Sequence, residues 1–441
     1  MNLVTIAWKS IRQRSLASFL TALSVALGIT LMVAVLVINS VVERVFNQSS
    51  TGYDLVVGVK GSPLQLVMKA IFHVGGGMEN IPYTYYRDKL LKNPKIKTAI
   101  PIALGDTTQE GSFPIIGTTP EFFAVPYLPD RDLKIRGDIL RKPFDAVVGY
   151  AVYRQIGWDI GKKFQPVHGV GPEAHVHDDN FTVVGVMAPT GTPIDQSVFI
   201  NLEGFFMIGG HEKPADEAAK KAADFAEAAG LKPSAAAPAA EKKPDAHDHH
   251  DHHHHHNIPD EQKELTAVLL KTQAITLNPI VIREINQEPY AQAANPAEQI
   301  GWLKRQVVGN VRTLMLVMTF LIIIVSGVGI FVSIYNSMSD RRKEIAIMRA
   351  LGAQRGTVFS IILLEAILLC LGGGILGICL GHGLVFLSAP MVEAQTGLIL
   401  NPLAFEKWEL ILLPMLVVLA SLIGIIPGMT AYRTDVARNL T

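Results

Sequence analysis

Four long apolar runs divide the chain. Leu16–Val42, Thr313–Ser337, Val358–Phe386 and Leu410–Tyr432 each approach or exceed the roughly 20 apolar residues that a helix needs to cross a bilayer. A signal peptide is the competing reading of the first run, because Lys9, Arg12 and Arg14 precede it. The run is about twice the usual ~7–15-residue apolar core of such a peptide, and no small-residue cleavage pattern follows it, so it is read as a span. Between the first and second runs the pattern changes to short β-rich stretches. Tyr53–Gly58, Phe113–Gly117, Asp145–Gly149, Phe181–Met187 and Ser197–Asn201 predict strands with turn residues close behind. Pro82–Lys92, stopped by Asn93-Pro94, and Val147–Gly157 predict short helices, and Leu265–Thr272 a further strand. A helix from about Pro296 to Arg312 is expected to run into the second span without a break. The apolar stretch Gly58–Val74 is read as a core helix; left exposed, it would favour a lipidic cargo. The predicted fold is an α-helical membrane protein with four transmembrane helices plus an α+β extracytoplasmic domain inserted between the first and second helices. Its parts are an amphipathic segment and first span at 1–43, the domain at 44–310, and the last three spans, about 313–337, 358–386 and 410–432, within 311–441.

Charge sets the orientation. Lys9, Arg12 and Arg14 precede the first span, Arg341, Arg342, Lys343, Arg349 and Arg355 lie between the second and third, and Arg433 and Arg438 follow the fourth. The loop Ser388–Glu409 has Lys407 alone against Glu393, Glu406 and Glu409. Basic residues stay on the cytoplasmic side, so both termini and the Asp340–Arg355 hairpin are expected there, and the long inserted segment outside. A formal net charge of zero gives no hint of nucleic-acid binding, which would call for a basic face or stripe. The two cysteines, Cys370 and Cys379, are nine residues apart on the third span, about 13 Å of helical rise and too far for a disulfide.

Composition changes at Lys213. From about 213 to 257 the chain is rich in Ala, Lys, Glu, Pro and His; Ala215–Ala229 has the composition of a helix, and the rest reads as a disordered excursion. Eight of the fourteen histidines fall here: His247, His249, His250, His252, His253, His254, His255 and His256. Neutral imidazole is a good ligand for zinc, copper and nickel, and a flexible run offers many ligand sets without one fixed geometry. Upstream lie His168, His175 and His177; His175 and His177 would share a face of an extended segment, a two-ligand start for an ordered site. The competing readings are a low-complexity insertion and solvated loop histidines.

Within the hairpin, Asp340 suits a helix N-cap and Gly352 a C′ residue, with Ile345, Met348 and Leu351 at helical spacing. Basic residues around that stripe fit either an anionic lipid surface or a groove in a partner protein. The stretch Arg341-Arg-Lys-Glu-Ile-Ala-Ile-Met-Arg-Ala-Leu-Gly-Ala353 closely resembles the cytoplasmic signature of the MacB/FtsX-like ABC transporter permease family. Ala7–Thr21 and Ile426-Pro-Gly-Met-Thr-Ala-Tyr-Arg433 support the resemblance, and the turn Thr190-Gly-Thr-Pro-Ile-Asp195 extends it into the exported segment. The resemblance implies a MacB-like periplasmic domain, a place in a bacterial inner membrane, a second permease copy (identical or not), and a separate cytoplasmic ABC ATPase that binds Mg-ATP. It implies further that Arg341, Arg342, Glu344, Arg349, Ala350, Leu351 and Gly352 belong to the helix that meets this ATPase.

Nothing in the sequence equips this chain to hydrolyse ATP. A phosphate-binding loop needs G-x-x-x-x-G-K-[ST], and the nearest stretch, Gly157–Lys163, has the wrong spacing and no Ser or Thr. G-x-S-x-G and H-E-x-x-H are also missing, so no catalytic role and no resident cofactor are expected. Within the spans, Glu365 is costly unless paired, and is read either as functional or as a hydrogen-bonded structural group. Gly373, Gly377 and Gly381 give a ridge for close helix approach, suited to packing or dimerisation. The expected function is mechanotransmission: ATP hydrolysis by the partner moves the domain outside, to export or extract a hydrophobic molecule or lipoprotein, or to activate an envelope partner. The alternative is a zinc-handling or metal-responsive membrane protein using the His-rich run.

Overall fold

The computed structural model describes residues 3–48, 52–73, 75, 78–128, 131–169, 175–208, 214–231, 258–340, 347, 352–396 and 409–432. The chain divides into two compact units, one made of 1–43, 305–393 and 399–441, the other of 44–304 and 394–398.

The first unit is helical: α1 (Leu3–Gln13), α2 (Ser15–Gln48), α3 (Gly309–Asp340), α4 (Arg355–Thr396) and α5 (Glu409–Tyr432). Each of the four apolar runs falls on one of these helices. Ser18–Val37 and Arg355–Val392 are long and apolar enough to cross a membrane, and Leu316–Gly329 and Glu409–Ile425 are shorter apolar stretches. The unit's core takes Val25, Ile29 and Val33 from α2, Val358, Ile362, Ala366 and Cys370 from α4, and Leu412, Leu416 and Ala420 from α5. On α4 these residues recur every four positions, the stripe a packed helix face requires.

Glycine contacts give the helix directions. A Cβ on Gly373 would lie 2.6 Å from the Ala22 carbonyl oxygen, one on Gly377 2.6 Å from that of Ala26, and one on Gly381 2.7 Å from Val33 Cβ. The contact advances along both helices together, so α2 and α4 run parallel. Gly374 meets Leu416, whereas Gly424 meets Leu363 and Ala366, and Gly428 meets Phe359. Here the contact moves forward on α5 as it moves back on α4, so these two are antiparallel. The starts of α2 and α4 and the finish of α5 therefore share one end of the unit. Arg14, just before α2, and Arg355, the first residue of α4, both belong to it.

The second unit is built on β1 (Leu55–Val59), β2 (Ile81–Pro82), β3 (Ile96–Thr108), β4 (Pro114–Thr118), β5 (Ile135–Gly137), β6 (Asp145–Val148) and β7 (Lys163–Phe164). It continues with β8 (Pro166–His168), β9 (His175–Val176), β10 (Phe181–Met187), β11 (Val198–Asn201), β12 (Glu264–Leu265), β13 (Ala267–Thr272) and β14 (Ala291–Ala294). The main sheet has the order β14-β1-β13-β3-β4-β11-β6-β10-β5; β7 pairs with β10, β8 with β3, and β9 with β8. Successive residues of its central strands enter different cores. Leu55, Ile115, Val148, Ile200 and Leu270 face one, with Phe205, Phe225 and Val281 from helices; Val56, Ile116, Val147, Phe199 and Leu269 face the other, with Leu66, Phe122 and Ile300. A sheet covered on both faces reads as continuous apolar runs, which is why these strands showed in the sequence.

The helix Pro63–Phe72 starts with the Ser62 side chain as cap and Pro63 in the first turn, and buries Leu66, Val67, Ala70 and Ile71. The 58–74 stretch thus contributes to a core. The expected helix at 82–92 is a short α turn, Tyr83–Tyr85, followed by the π-helical Tyr86–Leu90. The helix expected to be unbroken from Pro296 changes its hydrogen-bond register: Pro296–Leu303 is α-helical, Lys304–Val308 is π-helical, and α3 follows. The excursion expected from 213 begins with a helix, Ala215–Ala228, docked by buried Ala218 and Phe225, the latter ring 5.6 Å from Tyr85 and 5.5 Å from Tyr290. Lys221 is paired with Glu264 at 2.8 Å. Residues 232–257 lie outside the described residues.

Two predictions follow from this packing. Gly377→Val forces a β-branched side chain into the α2 backbone, a strain of about 1–3 kcal/mol or more; its thermal midpoint in detergent should fall well below that of Gly383→Val, whose Cβ enters open space. Equal midpoints would show that α2 and α4 are not in close contact. In the second unit, burial lowers the pKa of His73 to about 3. The unfolded chain then binds the extra proton between about pH 6.5 and 3, so stability is full above that window and declines as pH falls through it. Thermal midpoints measured from pH 7 to 5 should fall less steeply for His73→Gln than for the parent chain.

Candidate functional site

The segment expected to meet an ATPase lies between the end of α3 at Asp340 and the start of α4 at Arg355. Arg341, Arg342, Glu344, Arg349, Ala350 and Leu351 lie outside the described residues, as does the His247–His256 run. Gly352 is described. Its φ of 100° is a left-handed conformation in open space, which a glycine supplies at the C′ position of a helix.

Glu365 stands ten residues into α4 and is buried. The Ser10 hydroxyl donates to its Oε2 at 2.8 Å, which ties α1 to α4. The contact occurs because Ala7 and Ser10, one helical turn apart, form the buried face of α1, while Trp8 is 60% exposed. A second tie joins α4 to α5: His382 Nε2 lies 2.9 Å from Glu409 Oε2, with the carboxylate side chain buried. Seventeen residues separate Glu365 from His382, about 25 Å of helical rise, so the ties stand well apart along α4. Between them, Gly373, Gly377 and Gly381 face α2 of the same chain. Thr30 Oγ1 is 2.8 Å from the Ala26 carbonyl oxygen and 3.1 Å from that of Gly377, reinforcing the seam. The His382–Glu409 tie was legible only in part: His382 is an ionisable residue inside an apolar run, and Glu409 reads from sequence as an ordinary loop charge.

In the second unit the three upstream histidines come together around a residue that composition did not single out. Asp106, on β3, pairs directly with His168 on β8, and His168 with His175 on β9. The His177 amide donates to the Pro166 carbonyl at 3.0 Å, which continues the ladder by one residue. His168 Nδ1 lies 2.8 Å from Asp106 Oδ1, and His177 Nε2 lies 3.6 Å from Asp106 Oδ2. The Asp106 side chain has no exposure, that of His177 6% and that of His168 47%. His175 is exposed on the same strand, its ring 5.9 Å from that of His177. The signal for Asp106 was a lone acid after an apolar run, in Ile102-Ala-Leu-Gly-Asp106.

The Thr190–Asp195 turn closes on its own carboxylate. Asp195 accepts from the amides of Thr190 and Gly191 and from the Thr190 hydroxyl. Burial nevertheless pushes its pKa up. Ser197 Oγ and His73 Nδ1 are 2.9 Å apart nearby, but the Asp195 bonds go to the turn, so no Ser-His-Asp relay is formed.

Residues 18–243 match the MacB-like periplasmic core domain, and residues 316–436 the FtsX-like permease C-terminal region. The chain belongs to the MacB/FtsX-like ABC permease family. An uncharacterized ABC transporter permease of Methanocaldococcus jannaschii is 23% identical over 99% of this chain and 96% of that protein. A macrolide export ATP-binding/permease protein MacB of Rhodopirellula baltica is 33% identical over 38% of this chain, which spans only 23% of that relative. The periplasmic region of MacB from Actinobacillus actinomycetemcomitans aligns with 58% of this chain and 95% of its own, with a TM-score of 0.32 and 9% identity. As a member of this family the chain is a membrane-embedded permease carrying a MacB-like domain.

The Ser10–Glu365 contact predicts different outcomes for two replacements. Glu365→Gln keeps an acceptor for the Ser10 hydroxyl and should change the thermal midpoint little. Glu365→Ala removes the buried acceptor of the Ser10 hydroxyl and should cost about 1–3 kcal/mol. Parent-like stability of the alanine variant would exclude a structural role for this carboxylate.

Proposed function

We propose that this permease carries motion made by a separate cytoplasmic ATPase to its MacB-like domain outside the membrane. The observation that carries the proposal is the α2–α4 seam. It puts the start of α4 at the same end as the start of α2 and the finish of α5, and on this reading the charged 340–355 segment that leads into α4 belongs to that end. Basic residues flank that end, Arg14 and Arg355 in the structure and Lys9, Arg12, Arg433 and Arg438 around them in sequence, so on the positive-inside rule it is the cytoplasmic one. On this reading the chain has four spans, cytoplasmic termini and a domain exported between the first and second spans.

A push on residues 340–355 acts directly on α3 and α4, which begin or end there. From α4 it passes to α1 through Ser10–Glu365 and to α2 through the glycine seam. Both α2 and α3 connect by chain to the MacB-like domain, α3 through the π-helical turn at Lys304–Val308, where the helical hydrogen-bond register changes. The core shared by α2, α4 and α5 is apolar, which suits levering and offers little lining for a hydrophilic solute. The cargo class that fits is therefore a hydrophobic molecule or a lipid-anchored protein handled outside the membrane.

ATP hydrolysis belongs to a partner on this reading. The sequence lacks the phosphate-binding loop, and the near-full-length match is to a permease. The Rhodopirellula relative combines ATP-binding and permease functions in its name, and this chain corresponds to a minor part of it. A second permease copy, identical or not, completes the complex.

The test uses Leu351→Asp and Arg349→Glu in the full chain. Each should abolish co-purification with the ATPase and the stimulation of its turnover, while leaving the permease folded by size-exclusion chromatography. Unchanged association and turnover in both variants would reject residues 340–355 as the ATPase contact.

A further inference from the structure

We propose that Asp106, His168 and His177 form a binding site for a divalent transition-metal ion of the zinc class, on the MacB-like domain and separate from the His247–His256 run. One oxygen of Asp106 and one nitrogen of each imidazole lie within 4.8 Å of one another. A tetrahedral zinc ion with bonds of about 2.0–2.1 Å holds its donors roughly 3.3 Å apart. The Asp106 Oδ2 to His177 Nε2 distance, 3.6 Å, is too long for a hydrogen bond and close to that spacing. His168 Nδ1 lies 2.8 Å from the carboxylate's other oxygen, Oδ1, a hydrogen bond that would give way as an ion takes the place of the shared proton.

The backbone arranges this donor set. Asp106 and His168 are direct cross-strand partners, as are His168 and His175, so their side chains share one face of the β3-β8-β9 ladder. His177 follows His175 by two residues and points to the same face. The pairing of β3 with β4 shifts register between Leu104 and Asp106, a bulge at Gly105. Bulges re-aim the side chains beside them, and this one lies directly before the acid that turns inward. The two strands carrying the histidines, β8 and β9, are three and two residues long and are held to the sheet at the Asp106 end of β3. An ion bridging β3 to β8 and to the residue after β9 would fasten this short ribbon.

Energetics favour a cation there. A divalent ion would add positive charge beside the buried Asp106 carboxylate, and imidazole ligates metal in its neutral form. One carboxylate oxygen and two imidazole nitrogens are a borderline set suited to zinc, cobalt or nickel rather than calcium or magnesium. His168, half exposed, gives the ion a route in, and His175 stands on the same face as a candidate fourth ligand, with water as the other choice.

The test starts from the full chain in detergent with the eight histidines of the 247–256 run changed to serine. Dialysis against zinc with a competing chelator, followed by metal analysis, should leave a single equivalent bound. His168→Ala changes a half-exposed side chain, and Asp106→Asn keeps the shape of the buried one. Each should weaken zinc by more than the roughly 10–100-fold lost when only a supporting hydrogen bond is removed. Cobalt gives an independent signature: His168→Cys should add a thiolate-to-cobalt charge-transfer band that the parent lacks. No retained zinc in the serine-substituted parent, or retention unchanged by both His168→Ala and Asp106→Asn, overturns the site. So does a cobalt-bound His168→Cys protein without the charge-transfer band.

Discussion

The close approach of α2 and α4 is the constraint on which the helical unit depends. Three glycines four residues apart let two backbones meet at distances that any Cβ would forbid, with Cβ positions 2.6–2.7 Å from Ala22, Ala26 and Val33. In hydrocarbon, helices gain little from burying apolar surface, because lipid tails are as apolar as leucine. Packing and hydrogen bonds decide association there. The seam supplies both, since the glycine ridge accepts Val25 and Ile29, and Thr30 reaches the carbonyl of Gly377. Because the contact advances on both helices together, it also fixes their relative direction, and from that direction the common end of α2, α4 and α5 follows.

A second constraint acts in the sheet unit. Its central strands are covered on both faces, so each residue has a core to enter and few positions are free for polar groups. Where polar groups are buried, turn amides or neighbouring side chains pair with them. Asp195 is clasped by its own turn, Thr272 bonds both Asp54 and Asn278, and Tyr85 donates to Glu288. Asp106 differs because its two oxygens face two imidazoles across a ladder of short strands. That arrangement sits at the margin of the sheet, where a bulge can turn an acid inward without breaking the interior strands.

Legibility followed the same physics. Strands buried on both faces showed as Val- and Ile-rich runs, and Asp145–Val148, Phe181–Met187 and Val198–Asn201 lie where the sequence placed them. The longest strand was not legible. β3 contains Pro101, which argues against a strand interior because it cannot donate, yet its carbonyl accepts from the Thr118 hydroxyl and its neighbours carry the ladder. β14 is Ala-Gln-Ala-Ala, without β-branched residues, and owes its conformation to pairing with β1. The helix Ala215–Ala228 looked like the start of a solvated insertion because Phe225 is its one large apolar residue, and that ring is what docks it. For the candidate sites, charge and spacing pointed to the 340–355 segment and to the upstream histidines. The partner acid could not be read, because β3 and β8 are some sixty residues apart in sequence and only their register joins Asp106 to His168.

The polar contacts of α4 bear on how force could travel. A helix held only by apolar packing can slide, since neighbouring ridge-and-groove settings differ little in energy. Glu365 and His382 oppose this at two points about 25 Å apart, each through a hydrogen bond that a slide would have to break. Displacing α4 along its axis would break one or both ties, whereas tilting it together with α1, α2 and α5 keeps them. On the mechanotransmission reading, α4 and its partners therefore move as one body. On that reading the change of shape is taken up where helical hydrogen bonding is already irregular, which just before α3 is the π-helical turn at Lys304–Val308. The turn joins the helix Pro296–Leu303 to α3, and on the same reading a small rotation there would change the direction in which the lever pushes.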